Sequence, residues 1–402
     1  MGITSCSEIC SMTQFEMENQ ISGINRTDLN KPNDINNNNN NNNNDNKIKK
    51  EIIKEKTKSE LFQEKFESKL PNFGQYIEKE QFIEKIPEKA NFYMTENEFK
   101  LPEEIKINEN IYEVQPILFK NGNIYEGYWN ENIIMDGKGK YYIEDGNLFI
   151  EGLWDNGKSI YGRIYYPNNN IYEGYIKNSN CHGKGKLIFE TGELYEGDFV
   201  AGDIEGNGKY TFSDKTTYEG NFTKGDFKGF GVMKWPFNIT YEGEFSGPAL
   251  NGYGKLYDNN GEKYEGNFKN NFFEGKGKYT FQDGCTYDGD FERGVRSGKG
   301  IYEKNNEFSY EGMWANDYPH GFGTFVFGNI SIKGIWRNGI NAEITIIEGG
   351  NDNDFNHDIL NFKIPDTNLI PNRLPNLQAL SNIQNFGIAN IPSYLNSKDN
   401  NE

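Results

Sequence analysis

The chain has 402 residues, of which 35% are hydrophobic and 25% are charged, and its mean hydropathy is -0.83. This composition disfavours a single large core, and the net charge of -18 disfavours a nucleic-acid interface, which needs clustered Lys and Arg. Glycine (45), tyrosine (25) and phenylalanine (29) are abundant, which favours aromatic strands separated by turns over helices. We therefore expect a mostly β protein.

Residues 1–46 are polar and end in an asparagine run, so we expect a disordered N-terminal tether. Its first residues, MGITSCSEIC, suit N-myristoylation of Gly2 and S-palmitoylation of Cys6 and Cys10. Two acyl chains anchor a protein stably, whereas one myristoyl chain holds it only marginally. The alternative is an ordinary N-terminus that begins Met-Gly. No apolar run is long enough to span a membrane, and we expect an intracellular protein with reduced cysteines.

Residues 47–120 form a charged segment that leads into the rest of the chain. Phe62, Phe66 and Leu70 recur at four-residue spacing, which predicts an amphipathic helix that ends at Pro71. Such a helix either leans on the domain that follows or binds a partner. The sequence favours the first alternative without excluding the second.

One short pattern recurs through residues 121–348. Its marker is the glycine of Tyr-Glu-Gly or its equivalent, which stands at Gly127, Gly152, Gly174, Gly197, Gly220, Gly243, Gly266, Gly289, Gly312 and Gly334. The intervals are 25, 22, six of 23 and a last one of 22 residues. This regularity indicates a stacked array of about nine and a half units.

Each unit has the pattern of a β-hairpin. In YEGNF the period of two places Tyr218, Gly220 and Phe222 on one face, and the same rule aligns Gly229 and Gly231 of GFGVMKW. A bare glycine backbone leaves room for an aromatic ring of the neighbouring strand, and we expect ring contacts to run from repeat to repeat. Tight turns between consecutive hairpins then give an elongated antiparallel meander, on the order of 90 Å long at ~4.8 Å per strand.

We expect the aromatic residues of this face to be the partner-binding surface, because exposed aromatic rows give large contact area at small entropic cost. The predicted face comprises Tyr125, Trp129, Tyr172, Tyr195, Phe199, Tyr218, Phe222, Tyr241, Phe245, Tyr264, Phe268, Tyr287, Phe291, Tyr310 and Trp314. The occupant is a helical or extended segment of another protein, or a second copy of the chain.

These repeats resemble the MORN family, whose pattern is Tyr-Glu-Gly, then Gly-x-Gly, then a turn, at 23 residues. The clearest matches include YEGYWNENIIMDGKGKYY from Tyr125 and YEGNFKNNFFEGKGKYTF from Tyr264. The second unit departs from the pattern, with Ile150 in the tyrosine place and Ile164 where the second glycine is expected. The resemblance implies a stand-alone scaffold at the cell cortex, a cilium or basal body, or a membrane junction.

The chemistry-bearing residues do not form a catalytic, metal or cofactor pattern. The three histidines are scattered, and His182 and His320 occupy a turn position of the repeat. We therefore expect no enzyme activity, no cofactor and no metal. The alternative function is a phosphoinositide-binding module linked to phosphatidylinositol-phosphate kinase signalling, since Lys184/Lys186 and Lys276/Lys278 share one phase of the repeat. Residues 121–345 nevertheless carry a net charge of -9.

Residues 349–402 form a tail rich in Asn and Pro. Its apolar pieces suit either a small helix or docking on the end of the sheet, and the sequence leaves both open. Just before it, NAEITIIE alternates like a strand and lacks Gly-x-Gly, which predicts a cap for the array.

The N-terminal acylation can be tested by substituting the residue that would carry the first acyl chain. We expect Gly2→Ala to move the full chain from the membrane pellet to the supernatant of its native cells, because a chain without the myristoyl amide also escapes palmitoylation. Ser7→Ala serves as the matched control and leaves the distribution unchanged. A Gly2→Ala variant that stays in the pellet contradicts the prediction.

Overall fold

The computed structural model of the protein describes residues 56–144, 147–178, 180–304 and 307–349. The described residues divide into two compact units, with the boundary between His182 and Gly183. They contain 22 strands, and the paired strands are antiparallel. The prediction of an all-β meander of stacked hairpins, preceded by short helices, is confirmed. The predictions for Gly2, Cys6, Cys10 and the other segments outside these ranges lie outside the described residues.

The first unit begins with helices α1 (Lys58–Phe73), α2 (Lys79–Ile83) and α3 (Glu88–Glu96). Its strands are β1 (Gly74–Tyr76), β2 (Ile111–Phe119), β3 (Ile124–Asn130), β4 (Met135–Ile143), β5 (Leu148–Asp155), β6 (Lys158–Tyr165) and β7 (Ile171–Lys177). Strand β8 (Asn180–Ile188) begins in the first unit and ends in the second.

The second unit continues as a meander in which each strand pairs with the next one along the chain. The strands are β9 (Leu194–Val200), β10 (Asp203–Thr211), β11 (Thr217–Thr223), β12 (Asp226–Trp235), β13 (Ile239–Ser246), β14 (Ala249–Tyr257), β15 (Lys263–Lys269), β16 (Phe272–Thr280), β17 (Thr286–Glu292), β18 (Val295–Lys304), β19 (Phe308–Ala315), β20 (Tyr318–Phe327), β21 (Ile330–Arg337) and β22 (Ile340–Glu348). A short 3-10 turn, Pro236–Asn238, separates β12 from β13.

The repeat is organised around one tyrosine ring and two glycines. Gly220 of β11 pairs with Gly231 of β12, and the ring of Tyr218 lies across both. A Cβ added to Gly220 would lie 2.5 Å from the Tyr218 hydroxyl oxygen, and one added to Gly231 would lie 2.6 Å from ring atom Cε2. Any larger residue at either position therefore displaces the ring. The prediction that the glycines make room for the rings is confirmed.

The buried tyrosine hydroxyl is satisfied within its own strand. Tyr218 donates a hydrogen bond of 3.0 Å to the carbonyl oxygen of Asn221, where a β-bulge shifts the register. Burial raises the pKa of Tyr218 to about 12, so the phenol keeps its proton and remains a donor. Eight tyrosines make this bond to the carbonyl three residues ahead, at 2.6 to 3.1 Å: Tyr125, Tyr172, Tyr195, Tyr218, Tyr241, Tyr264, Tyr287 and Tyr310.

Edge-to-face contacts link these rings along the second unit. Each tyrosine contacts the aromatic residue four positions ahead and the corresponding residue of the next repeat, with centroids 4.9 to 5.3 Å apart. In order of contact the row is Phe199, Tyr195, Phe222, Tyr218, Phe245, Tyr241, Phe268, Tyr264, Phe291, Tyr287, Trp314, Tyr310 and Trp336. Each such pair is worth about 0.5–1.5 kcal/mol beyond the burial of its area.

The second repeat departs from this arrangement at Ile150, as predicted, but not at Ile164. Gly152 pairs with Gly162, which therefore takes the place of the second glycine of Gly-x-Gly. The exception is Ile160, two residues earlier, and not Ile164. Because Ile150 replaces the tyrosine, no ring crosses the two glycines, and a Cβ added to either would meet a backbone carbonyl oxygen at 2.6 Å. The prediction of an altered hairpin is confirmed, with its position corrected.

The N-terminal helices pack on the first repeats. Phe62, Phe66 and Leu70 are the buried residues of α1, as their spacing predicts. Phe62 stacks on Tyr112 of β2 with centroids 4.2 Å apart, and Phe66 meets Trp129 of β3 edge-on at 5.1 Å. The helix therefore leans on the repeat array.

Both ends of α1 have local causes. A capping box formed by Thr57 and Glu60 starts the helix. The prediction that Pro71 ends it is wrong by two residues, because α1 continues to Phe73. Proline removes one N–H donor, but its own fixed φ suits a helix, and the Gly74 N–H closes the last turn by donating to the Leu70 carbonyl.

The last strand is built differently from the repeats. β22 pairs with β21 in antiparallel register, which confirms the predicted strand. Its isoleucines are substantially exposed, including Ile340, Ile344 and Ile346. The strand thus extends the sheet of the second unit without adding a ring to its core.

The contact between the ring and the glycines can be tested by a double-mutant cycle in the full chain. We expect Gly231→Ala to lower the free energy of unfolding in urea by about 1–3 kcal/mol, because its methyl group collides with the Tyr218 ring. In a Tyr218→Ala background most of that loss should vanish.

Gly229 is the matched control for this cycle. Nothing lies within 4 Å of an added Cβ there, but its φ of +66° disfavours alanine. The loss caused by Gly229→Ala should therefore be the same with and without the Tyr218 ring. Strictly additive losses for Gly231→Ala and Tyr218→Ala would contradict the proposed contact.

Candidate functional site

The two sides of the second unit differ in exposure. The side opposite the tyrosine rings consists of residues that are exposed or half-buried, and we call it the open face. It comprises Lys184, Lys186, Glu196, Asp198, Asn207, Lys209, Glu219, Asn221, Phe230, Val232, Glu242, Glu244, Tyr253, Lys255, Glu265, Asn267, Lys276, Lys278, Asp288, Asp290, Lys299, Ile301, Glu311, Met313, Phe322 and Thr324.

The fifteen aromatic residues predicted to contact a partner lie on the ring side of their own repeats, and all are buried. Tyr125, Tyr172, Tyr195, Tyr218, Tyr241, Tyr264, Tyr287, Tyr310 and Phe222 are 0% exposed. Trp129, Phe199, Phe245, Phe268, Phe291 and Trp314 are at most 4% exposed. In the second unit the rings cover one another and the glycines, so the sheet buries them without a second layer, whereas Trp129 of the first unit also packs against Phe66 of α1. The fifteen residues form the core.

Three aromatic residues stand out on the open face. Phe230, Tyr253 and Phe322 are 65%, 54% and 72% exposed. Each occupies the place between the two glycines of Gly-x-Gly, where its side chain points away from the tyrosine row. Sequence reasoning missed them, although the repeat alignment carries the signal, because Lys or Asn takes this place in other repeats of the unit.

Acidic and basic residues alternate across the open face. Lys184 pairs with Asp198 at 2.7 Å, and Lys276 pairs with Asp290 at 2.7 Å. Burial tends to raise the pKa of Asp290, but the hydrogen bonds from Lys276 and from a backbone N–H outweigh it, and the pKa is lowered. These lysines are engaged by carboxylates of the same sheet, which does not favour the phosphoinositide-binding alternative.

The corresponding side of β5–β7 in the first unit is covered by the chain's own N-terminal segment. Phe82 packs near Phe149 with centroids 6.4 Å apart, and Tyr93 meets Tyr165 edge-on at 6.3 Å. Further along, Phe99 stacks near Tyr161 at 6.0 Å, and the Tyr175 hydroxyl donates to Glu104 at 2.6 Å. This side of the repeats therefore holds helices α2 and α3 and the extended residues that follow them through aromatic and polar contacts.

Arg163 of β6 is the centre of this attachment. Its guanidinium donates to Glu173 at 2.6 Å, to the Asn97 carbonyl at 2.7 Å and to the Glu98 carbonyl at 3.1 Å. It also lies 5.3 Å from the ring centroids of both Tyr93 and Phe99. One side chain thus binds the segment through hydrogen bonds and cation–π contacts at once.

The electrostatics keep Arg163 charged. Burial lowers its pKa, but the hydrogen bond and the charge of Glu173 outweigh this effect and raise the pKa above its ordinary value. Burial raises the pKa of Glu151, and the charge of Arg163 opposes that shift at a distance of 3.7 Å. Sequence reasoning missed this cluster, since its members come from distant parts of the chain.

The described ranges contain no group of three or more His, Cys, Asp or Glu residues that could hold a metal ion. Among the same residues, no helix is both long and apolar enough to cross a membrane.

Comparison of the sequence with protein-family models identifies the same repeats as the hairpins of the structure. The model of the MORN repeat matches residues 125–148, 172–193, 195–217, 218–236, 241–263, 264–286, 287–307 and 310–329. The chain belongs to the MORN-repeat family. The stretch between the first two matches holds the altered second repeat, in which no tyrosine crosses the glycines. The MORN repeats of this chain suggest a repeat scaffold.

Comparison with known proteins adds partial likenesses. No curated protein matches the sequence. Among solved structures, the TCP domain of Drosophila melanogaster SAS-4 (dCPAP), in complex with a proline-rich motif of Ana2 (dSTIL), is 16% identical, with a TM-score of 0.24 over 36% of this chain and 79% of that one. The TCP10 domain of Danio rerio CPAP, in complex with a STIL peptide, is 10% identical, with a TM-score of 0.25 over 60% of this chain and 99% of that one.

The attachment through Arg163 can be tested by hydrogen exchange in the full chain. We expect Arg163→Met to speed amide exchange in residues 93–104 by at least about tenfold, because Glu173 and two carbonyl groups lose their donor. Arg293→Met, at an exposed turn, is the control and leaves this exchange unchanged. Unaltered exchange of residues 93–104 in Arg163→Met would contradict the role of Arg163.

Proposed function

We propose that this MORN protein is a non-enzymatic scaffold that holds a segment of a partner protein on the open face of its second unit. The observation that carries the proposal is the first unit, where the corresponding side of β5–β7 already holds residues 82–104 of the same chain. The same architecture presents exposed Phe230, Tyr253 and Phe322 in the second unit.

The chemistry of the open face supports a protein partner. Exposed aromatic rings supply apolar contact area, and the alternating charges around them supply hydrogen bonds and ion pairs for a polypeptide. The occupant in the first unit uses the same combination of aromatic rings, backbone carbonyls and a carboxylate. A helical or extended segment of a partner protein therefore fits this face.

The cellular setting is the second part of the proposal. Family membership suggests the cell cortex, a cilium or basal body, or a membrane junction. Acylation at Gly2, Cys6 and Cys10 would tether the chain to the cytoplasmic side of a membrane and leave the repeats free to hold their partner. The scaffold would then fix the place of that partner without changing it chemically.

The partner-binding role can be tested by site-specific photo-crosslinking in the native cells. Benzoylphenylalanine placed at Tyr253 or at Phe322 of the full chain should crosslink the same protein or proteins, identified by mass spectrometry. Phe237 is the matched control, because it is a 92% exposed aromatic residue in the turn after β12 and lies off the open face. Equal crosslinking from Phe237, or none from the two open-face positions, would contradict the proposal.

A further inference from the structure

Strand β12 interrupts the charge pattern of the open face. Two positions at each Gly-x-Gly point to this face: the residue between the glycines and the residue after the second glycine. The residue before the first glycine, Lys228 in β12, is in register with Asn221 of the same face. In the second unit the two positions hold Lys184 and Lys186, Asn207 and Lys209, Phe230 and Val232, Tyr253 and Lys255, Lys276 and Lys278, Lys299 and Ile301, and Phe322 and Thr324. β12 and β20 are thus the two strands of this set without a lysine at either position.

The neighbours of β12 are acidic on both sides. Phe230 lies opposite Glu244 of β13, and Val232 lies opposite Glu242 of β13 and Glu219 of β11. Directly opposed side chains in a sheet have Cβ atoms about 4.5–5.5 Å apart. Two apolar side chains are therefore bordered by three carboxylates, and we call these five residues the β12 site.

These carboxylates differ from their equivalents in other repeats. Asp198 and Glu196 are engaged by Lys184 and Lys186 of the adjoining strand, at 2.7 and 3.7 Å. In the β12 site, Phe230 and Val232 replace those lysines. Within the described part of the chain, the three carboxylates of the site have no Lys or Arg nitrogen within 4 Å.

The remaining contacts of the carboxylates come from neutral groups. Glu242 accepts a hydrogen bond of 2.6 Å from the Tyr257 hydroxyl, which raises the pKa of Tyr257. Glu244 accepts a longer bond of 3.4 Å from the Tyr253 backbone N–H. On the strands beyond, Lys209 lies directly opposite Glu219 and Lys255 directly opposite Glu242, although neither ammonium is within 4 Å of those carboxylates. No lysine is paired in register with Glu244, which lies opposite Phe230.

β20 shows that an exposed phenylalanine alone does not create this chemistry. Phe322 lies opposite Ile335, and Thr324 lies opposite Lys333, so one flank of β20 is apolar and basic. The β12 site thus joins an exposed ring to carboxylates that make no close ion pair, and one of them, Glu244, has no lysine opposite it.

From this difference we infer that the β12 site recognises a partner segment that presents Lys or Arg side chains beside an apolar side chain. The inference deepens the proposed function, on which it rests, by naming the chemistry of the partner. The apolar side chain covers Phe230 and Val232, and the cations take the place of the missing lysines beside Glu219, Glu242 and Glu244. A cation over the exposed Phe230 ring adds a cation–π contact. Acidic segments and anionic headgroups are repelled.

The inference is tested with the full chain and three labelled synthetic peptides of equal length, measured by fluorescence anisotropy. The peptides alternate Arg with Leu, Arg with Ser, and Glu with Leu. We expect the Arg–Leu peptide to bind most tightly, because it alone supplies both cations and apolar contact. The double variant Phe230→Lys/Val232→Lys restores the lysines usual in the other repeats and should weaken this binding by at least about tenfold.

Two further variants isolate the cause. Phe322→Lys/Thr324→Lys is the matched control, which makes the same change in β20 and leaves the affinity for the Arg–Leu peptide unchanged. Glu242→Gln/Glu244→Gln keeps the apolar side chains, removes two charges and should weaken binding while leaving the circular dichroism spectrum as in the unsubstituted chain. Both variants change only exposed or half-buried side chains, so loss of binding is separable from loss of fold.

Several results would overturn the inference. Arg–Leu binding that survives both substitutions in β12 places the site elsewhere, and equal binding of the Glu–Leu peptide removes the role of charge. Equal binding of the Arg–Ser peptide removes the role of Phe230 and Val232. If photo-crosslinks from Tyr253 and Phe322 persist while no Arg–Leu peptide binds, this inference fails and the proposed scaffold function stands. Absence of those crosslinks refutes the proposed function itself.

Discussion

The contact between one tyrosine ring and two paired glycines determines the rest of this structure. In each regular repeat, the ring occupies the volume that two Cβ atoms would otherwise fill, as Tyr218 does over Gly220 and Gly231. The ring is thereby buried by backbone below and by neighbouring rings at its edges. In the second unit the sheet gains a hydrophobic core in this way without a second sheet or a layer of helices, which sheets ordinarily need.

The same contact assigns different roles to the two sides of the sheet. The ring side is fully used by packing, so its residues are glycine or large buried side chains, such as Met233 opposite Tyr218 and Arg296 opposite Phe291. On the opposite side, exposed side chains such as those of Phe230 and Lys276 do not pack in the core. They can change from lysine to phenylalanine between repeats while the hairpin beneath remains the same. The side that the core leaves free is therefore the side we propose for partner recognition, and at β5–β7 of the first unit it is already covered.

The sequence predicted the repeats because strand period and glycine spacing are local properties. Tyr218, Gly220 and Gly231 were placed together correctly, since alternation along a strand determines which residues share a face. Their exposure was not predictable in the same way. A pattern shows that a face is aromatic, but not that its rings bury one another. Arg163 was missed for a different reason, because its partners Asn97 and Glu98 lie far away in the sequence.

Repetition itself makes the functional residues recognisable once the core is known. Eight tyrosines make the same hydrogen bond to a backbone carbonyl. Because packing of the core explains why they are the same, these tyrosines give no information about a partner. Information lies in the positions that depart from the pattern without disturbing the hairpin. Phe230 and Val232 depart in this sense, because the glycine pair beside them is intact. Ile150 departs in the opposite sense, since it changes the core. Exceptions that leave the glycine pair intact, such as Phe230, are therefore the ones we assign to recognition. Exceptions that change the core, such as Ile150, affect the folding of the hairpin.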